Sequence, residues 1–427
     1  MKNFYIVSLG CPKNLVDSEI ISAELEKNGY KLSLNVEGSD LVVINTCGFI
    51  NSAINESKKV IREMIDFKKK GIIKKILVCG CLVERFKDKI FKKNPYIDGF
   101  IGIEGKGLIS FLKKEKVPFY KTYCDYFPLT DRLLLTKPHS SYLKIAEGCD
   151  NFCSYCVIPF IRGKFRSKKI EDIIDEAKKL VKIGVKEISL IAQDTTRYGM
   201  DLYGRSLLKE LLINLEKIKG LRWIRLMYLY PNGVDRDLLK IIKNSDKIIN
   251  YIEMPVQHSS DSVLKAMNRK YNSKMLMEKM DLIKKIIPDA AIRTSIIVGF
   301  PSETEKDFKN LLSFIHRYKP NYISVFKYSR EEGTVAYYLK QLPSKIINER
   351  YLEILNLNTR IVDEFNKSII GKEYEVIFDS LNYARSYMDA PDIDGKFEIV
   401  NYKAKVGEFK RVKVIEAAGY LRKAEVV

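Results

Sequence analysis

The sequence predicts an α/β protein in three parts, and three observations carry that prediction. Apolar strand-like runs alternate with helical patterns through most of the chain, which is the signature of parallel sheets with crossover helices. A length of 427 residues exceeds one ordinary domain and suggests two or three, each burying its own core. After Gly371 the pattern changes to short strands with turn residues between them, which reads as a small antiparallel β-barrel.

The first part, residues 1–135, pairs "FYIVSLG" with "DSEIISAELEKNG", "LVVINTCG" with "SAINESKKVIREMID" and "KKILVCG" with "VERFKDKIF", then ends on "GFIGI". Strand then helix, repeated, predicts a parallel sheet. The second part, residues 136–370, opens at "SSYLKIAEGC" and continues with strands at "EISLIAQD", "WIRLMYLYP", "YIEMPVQ", "AIRTSIIVGFP" and "YISVFKYS". Between them lie amphipathic helices, "KIEDIIDEAKKLVKIG" and a long one over "SDSVLKAMNRKYNSKMLMEKMDLIKKI". So many β/α units favour a complete or partial barrel with its chemistry at the carboxyl ends of the strands, an open doubly wound sheet being the alternative. The third part, residues 371–427, carries "YEVIFDS", "YARSYMDA", "KFEIVNY" and "FKRVKVIEA".

Composition narrows the function classes. No apolar run approaches the roughly 18 residues that a membrane span needs, and the N-terminus turns polar too soon to read as a signal peptide. The eight cysteines, at 11, 47, 79, 81, 124, 149, 153 and 156, are spaced unlike a small disulfide framework, which predicts metal-binding thiolates in the cytoplasm. A formal net charge of +20 invites a nucleic-acid reading, because neutralising phosphates drives binding without regard to sequence. A lysine-rich proteome would spread the same charge without purpose.

Three cysteines fall within eight residues of "EGCDNFCSYCVIPF": Cys149, Cys153 and Cys156. Three thiolates suit zinc and iron–sulfur equally in softness, and the fourth ligand decides. A structural zinc site is closed and tetrahedral, yet the nearest further candidates, Cys124 and His139, lie upstream and outside any second C-x2-C pair. The other reading leaves the fourth iron of a [4Fe-4S] cluster open to a substrate. Cys11, Cys47 and Cys81 each follow an apolar strand run, and the carboxyl ends of parallel strands share one edge where ligands bind. Three widely separated thiols are therefore expected to converge on a metal. Cys79 lies inside its strand and reads as a small buried hydrophobe, and Cys124 has no assigned role.

The Cys-x3-Cys-x2-Cys spacing, with Tyr155 before its third cysteine, resembles the radical S-adenosylmethionine (SAM) superfamily. The resemblance implies a [4Fe-4S] cluster on Cys149, Cys153 and Cys156 whose open iron binds SAM and cleaves it to a deoxyadenosyl radical. It further implies that Tyr155 lies near the adenine, that Gln193 and Gln257 face SAM from strand ends, and that Ile297 approaches the adenine. With the second cysteine set, nearly the whole chain resembles the methylthiotransferases, whose plan is an N-terminal cysteine domain, a radical SAM barrel and a C-terminal TRAM barrel. Two [4Fe-4S] clusters are then implied, with SAM serving as radical source and methyl donor. Cofactors carry the hard chemistry while the protein positions and shields them, so no single side chain stands out as catalytic.

Branches of that family act on tRNA adenosines or on an aspartate β-carbon of ribosomal protein S twelve. From Gly371 to Val427 ten basic residues face ten acidic ones, so the part expected to meet a macromolecule lacks the surplus that phosphates need. Its "MDAPDID" loop gathers three carboxylates that would repel RNA and suit a basic protein. The segments "SLGCPKNLVDSE", "LIAQDTTRYG", "RLMYLYP", "VQHSSD" and "ARSYMDAPDIDG" are similar to the ribosomal-protein branch, which implies that substrate, on the small ribosomal subunit, in preference to tRNA. A reductant such as flavodoxin or ferredoxin is implied as well, with the sulfur donor left open. A zinc-stabilised RNA-binding protein is the reading from a different class.

Overall fold

The computed structural model describes residues 2–87, 94–105, 107–113 and 131–427. Its contacts divide the chain into two compact units: residues 1–135, 146–168 and 329–334 in the first, and 136–145, 169–328 and 335–427 in the second. Both cysteine sets fall in the first unit. Cys124 lies outside the described residues.

The first unit is built on a five-stranded parallel sheet of β1 (Lys2–Ser8), β2 (Tyr30–Leu32), β3 (Leu41–Thr46), β4 (Ile76–Gly80) and β5 (Gly99–Phe100). Every residue of β3 and β4 is buried, which is why their sequences read as unbroken apolar runs. Alternate residues serve opposite faces. Val42, Ile44, Ile76 and Val78 pack with Ile54, Ile61 and Met64 of the helix Asn51–Lys69. Leu41, Val43, Leu77 and Cys79 pack with Ile21 and Leu25 of the helix Pro12–Lys27. Cys79 thus belongs to the core, as its place inside the strand predicts, and burial pushes its thiol pKa far up.

The strand order is β2-β1-β3-β4-β5. It reverses between β1 and β3, and in doubly wound sheets that switch point opens a crevice at the carboxyl edge. The unit also holds a two-stranded antiparallel ladder of β7 (Ala146–Glu147) and β8 (Arg166–Ser167), which closes the base of the three-cysteine loop.

The second unit contains six parallel strands: β6 (Ser140–Lys144), β9 (Glu187–Ile191), β10 (Trp223–Leu226), β11 (Ile248–Glu253), β12 (Ala291–Val298) and β13 (Tyr322–Lys327). Their order runs 13-12-11-10-9-6 with no reversal, which decides for a singly wound partial barrel over a doubly wound sheet. The long helix expected after β11 is two helices, Asp261–Ala266 and Ser273–Ile286. Between them Asn268 takes a left-handed conformation (φ 56°), and Asn272 caps the second helix by accepting from the backbone N–H of Met275.

Also in this unit are the helix Ser344–Ile369 and a closed barrel of β14 (Glu373–Phe378), β15 (Tyr383–Ser386), β16 (Lys396–Ile399), β17 (Phe409–Ala418) and β18 (Leu421–Val426). Neither that helix nor β18 is among the elements the sequence pattern marks. Four pairings of the barrel are antiparallel, and β16 pairs with β18 in parallel.

One correction concerns the "MDAPDID" loop. Asp389 and Asp394 are buried rather than offered to a partner. Asp389 accepts from Arg422 (2.6 Å) and from the hydroxyl of Tyr322; Asp394 accepts from Tyr251 (2.7 Å) and pairs with Arg293. Only Asp392 is exposed, near Lys137. Beside the loop, the carboxylate of Glu187 is clasped by Arg225 (3.0 Å) and Arg385 (2.7 Å) and accepts from Ser140 (3.1 Å). Burial alone would raise its pKa, and the two guanidinium groups hold it below the ordinary value instead.

Ser140, Glu187 and Tyr322 are the first residues of β6, β9 and β13, so the loop plugs the amino-terminal mouth of the partial barrel. Burying two carboxylates and two arginines leaves eight acidic and eight basic residues nearer the surface of 371–427, and the charge balance survives.

Removing one partner of a buried ion pair strands the other. Glu187→Ala leaves the buried guanidinium of Arg225 without its counter-charge and Arg385 with Asp379 alone, and urea denaturation is expected to record a loss of about 3–5 kcal/mol. A loss within the range of an ordinary surface substitution would show that water reaches this cluster.

Candidate functional site

Cys11 follows β1 and is the N-cap of the helix Pro12–Lys27, Cys47 follows β3, and Cys81 begins the helix Cys81–Phe86 directly after β4. All three sit at the carboxyl edge of one sheet, two of them at the strand-order reversal. Glycine allows the turns to meet. Gly10 has φ 92°, and a Cβ there would lie 3.0 Å from the Cys47 sulfur. A Cβ on Gly48 would lie 2.7 Å from the carbonyl oxygen of Cys81.

The thiols influence one another. Burial raises the pKa of Cys47, with Cys11 adding to the effect. Burial pushes Cys81 up to about 12, opposed by Arg162 and reinforced by Cys11 and Cys47. The donor set is therefore three soft sulfurs at a shared edge with a buried cation beside them, which fits an iron–sulfur cluster. Among the described residues no group of three His, Cys, Asp or Glu side chains is already arranged around a metal position.

Two residues that the sequence pattern does not single out organise this edge. Asn14 donates to the carbonyls of Leu9 (2.9 Å) and Thr46 (3.1 Å), tying the first two turns together. Its Oδ1 accepts from the Cys81 thiol (3.4 Å) and from Arg162. Asn14 lies three residues after Cys11 within "CPKNLVDSE", a signal within reach; nothing near Arg162 in sequence marks it as a neighbour of Cys81.

The second set lies in the loop between β7 and β8. Gly148 (φ 80°) begins it where a Cβ would meet the Lys164 carbonyl oxygen at 2.1 Å, so only glycine fits. The backbone N–H of Cys149 donates to Gly163 (3.1 Å), and that of Cys156 to Cys153 (3.0 Å). Asp150 accepts from the backbone N–H of Phe165 (3.0 Å), closing the loop across its base. Cys149, Cys153, Tyr155 and Cys156 are all half-buried. His139, the upstream zinc candidate, belongs to the second unit and has its Nε2 2.8 Å from Asp379.

In the second unit the remaining expected cofactor residues lie toward the carboxyl ends of their strands. Gln193 stands two residues past β9, Ile297 is the penultimate residue of β12, and Gln257 follows β11. Gln257 has φ 64° and bridges to β12: its N–H donates to Ser295 (2.8 Å), and its carbonyl accepts from Ile297 (2.9 Å). Gln257 and Ile297 are thus brought together, with Gln193 two strands away at the same end.

Next to Gln257, His258 is fully buried, accepting at Nδ1 from the N–H of Ser260 (3.0 Å), with Nε2 3.9 Å from Glu303. Burial pushes its pKa down to about 4, and Arg350 adds to the effect while Asp307 opposes it. An unfolded histidine takes up a proton near pH 6.5, whereas the folded one resists until about pH 4. Stability is therefore lost as pH falls through that window, on the order of 3 kcal/mol. The carboxyl of Glu303, raised by burial, works in the opposite sense in any His258 variant too. Comparing the pH dependence of denaturation for the native chain and His258→Gln should show a shallower loss in the variant between pH 6.5 and 4. Equal slopes would mean that His258 is protonated as easily folded as unfolded.

The Radical SAM superfamily matches residues 143–315, the uncharacterized protein family UPF0004 residues 3–102, and the TRAM domain residues 370–427. The chain is 43% identical to the ribosomal protein uS12 methylthiotransferase RimO of Acetivibrio thermocellus, covering 100% of this chain and 98% of that one. It is 44% identical to the protein of the same name from Elusimicrobium minutum, covering 100% of both, and 45% to that of a Sulfurihydrogenibium species, covering 97% of both. Among solved structures, the radical SAM methyltransferase TsrM of Kitasatospora setae shares the fold, with a TM-score of 0.56 at 13% identity over 79% of this chain and 77% of that one. With relatives of such identity along its full length, the chain belongs to the ribosomal protein uS12 methylthiotransferase family of the radical SAM superfamily.

Proposed function

We propose that this enzyme adds a methylthio group to the β-carbon of an aspartate in ribosomal protein uS12. The observation that carries the reading is full-length identity above 40% to proteins named for that activity. The three segments 1–135, 136–370 and 371–427 would be the N-terminal cysteine domain, the radical SAM core and the TRAM barrel.

Cys149, Cys153 and Cys156 would hold a [4Fe-4S] cluster, and Cys11, Cys47 and Cys81 a second one. Bound there with SAM, these groups supply the one-electron chemistry that removes a hydrogen from carbon, and the sulfur and methyl group of the product. Tyr155 and Ile297 would flank the adenine, and Gln193 and Gln257 would orient SAM from strand ends. An unactivated carbon offers a nucleophile nothing to displace, so the chain's own task is to position the partners and exclude water. A flavodoxin- or ferredoxin-type reductant, the small ribosomal subunit as the setting and the cytoplasm as the compartment complete the proposal. No helix among the described residues is long and apolar enough to cross a membrane.

Anaerobic turnover with SAM, sulfide and a reductant, offering uS12 and unmodified tRNA together, tests the substrate by mass spectrometry of both. A methylthio gain on an aspartate-containing peptide is expected; a gain on a tRNA nucleoside would transfer the activity to RNA. Separately, replacing Cys149, Cys153 and Cys156 with Ala should leave iron and sulfide bound at the N-terminal set. A folded variant holding neither would refute two independent sites.

A further inference from the structure

The helix Ile158–Arg162 begins two residues after Cys156, and its last side chain reaches the other cysteine set. Arg162 is 1% exposed. Its Nη1 donates to Glu147 (2.8 Å), and its Nη2 donates to the Cys81 sulfur (3.3 Å), to Asn14 and to Asp17 (3.3 Å). Val157 and Ile161 pack with Cys81 and Ile103 in one apolar cluster, so the helix carrying the guanidinium is fixed against the turn it serves. All of these residues belong to the first unit.

A buried arginine is held by carboxylates, and Glu147 with Asp17 would suffice for that. The N–H aimed at sulfur needs another account. Hydrogen bonds to the sulfurs of an iron–sulfur site stabilise its more negative, reduced state and so raise its potential. The rigid fork of arginine allows one side chain to hold a carboxylate and a sulfur at once, which a lysine's single ammonium does less well.

We infer that Arg162 is a positioning residue that sets the redox poise of the N-terminal cysteine site through its hydrogen bond to Cys81, mechanically linked to the SAM-binding loop by its helix. The inference rests on the reading of Cys11, Cys47 and Cys81 as cluster ligands. It concerns a one-electron couple, with the electron supplied by an external reductant and no bond made or broken in the protein.

The test uses the full chain with Cys149, Cys153 and Cys156 replaced by Ala, so that only the N-terminal site is observed. Iron and sulfide are assayed first; their absence with Arg162 intact refutes the ligand reading itself, independently of Arg162. With iron present, dithionite titration followed by electron paramagnetic resonance gives the midpoint potential. Arg162→Met combined with Glu147→Gln and Asp17→Asn removes the hydrogen bond without stranding either carboxylate as a charge. The midpoint is expected to fall so that the reduced-to-oxidised ratio at the original midpoint drops about tenfold, which is about 59 mV for one electron. An unchanged midpoint overturns the inference. Arg162→Lys keeps the buried charge and is read in the same way where the neutral variant fails to fold or to hold iron. A lowered midpoint supports the role, and the original midpoint overturns it.

Discussion

Parallel strands all deliver their chains to the same edge, and nearly everything else in this protein follows from that constraint. In the first unit the edge collects the turns after β1, β3 and β4, each carrying one cysteine. The strand order reverses between β1 and β3, the kind of position at which doubly wound sheets open a crevice. In the second unit the same rule sends Gln193, Gln257 and Ile297 toward one end of the partial barrel. At the opposite mouth the acidic loop is buried.

Electrostatics divides along the same line. At the cysteine edge a single buried guanidinium mediates between sulfur, amide and carboxylate. At the barrel's amino-terminal mouth the arrangement is denser: Glu187, Asp389 and Asp394 each meet an arginine, and Asp379 lies against both Arg385 and His139. Such clusters contribute little net stability over apolar packing, and their members are costly to remove singly.

Much of this was legible in the residues alone. Unbroken apolar runs marked β3 and β4 because both faces of those strands are covered, and the cysteines directly after such runs marked the sheet edge. Cys79 differed from Cys81 by place, one inside the strand and the other directly after it. What escaped depends on contacts between residues far apart in sequence. Nothing in "PFIRG" tells that Arg162 reaches Cys81, because the contact spans 81 positions. The helical period runs on through residues 261–286, where the break comes from the left-handed turn at Asn268 and the Asn272 cap. Asp389 and Asp394 read as carboxylates open to a basic partner because the arginines and tyrosines that hold them lie on other strands.

That buried loop bears on how the molecule can be divided. Ending the chain before the TRAM segment would remove Asp389 and Asp394 along with Arg385, opening the mouth of the barrel and leaving Arg225 and Arg293 facing a void. Roughly 20 Å of strand separates this mouth from the end where Gln257 and Ile297 meet. The terminal barrel is therefore less an accessory module that could be exchanged among relatives than a keystone, and any recombination of family members has to inherit it together with the arginines it covers.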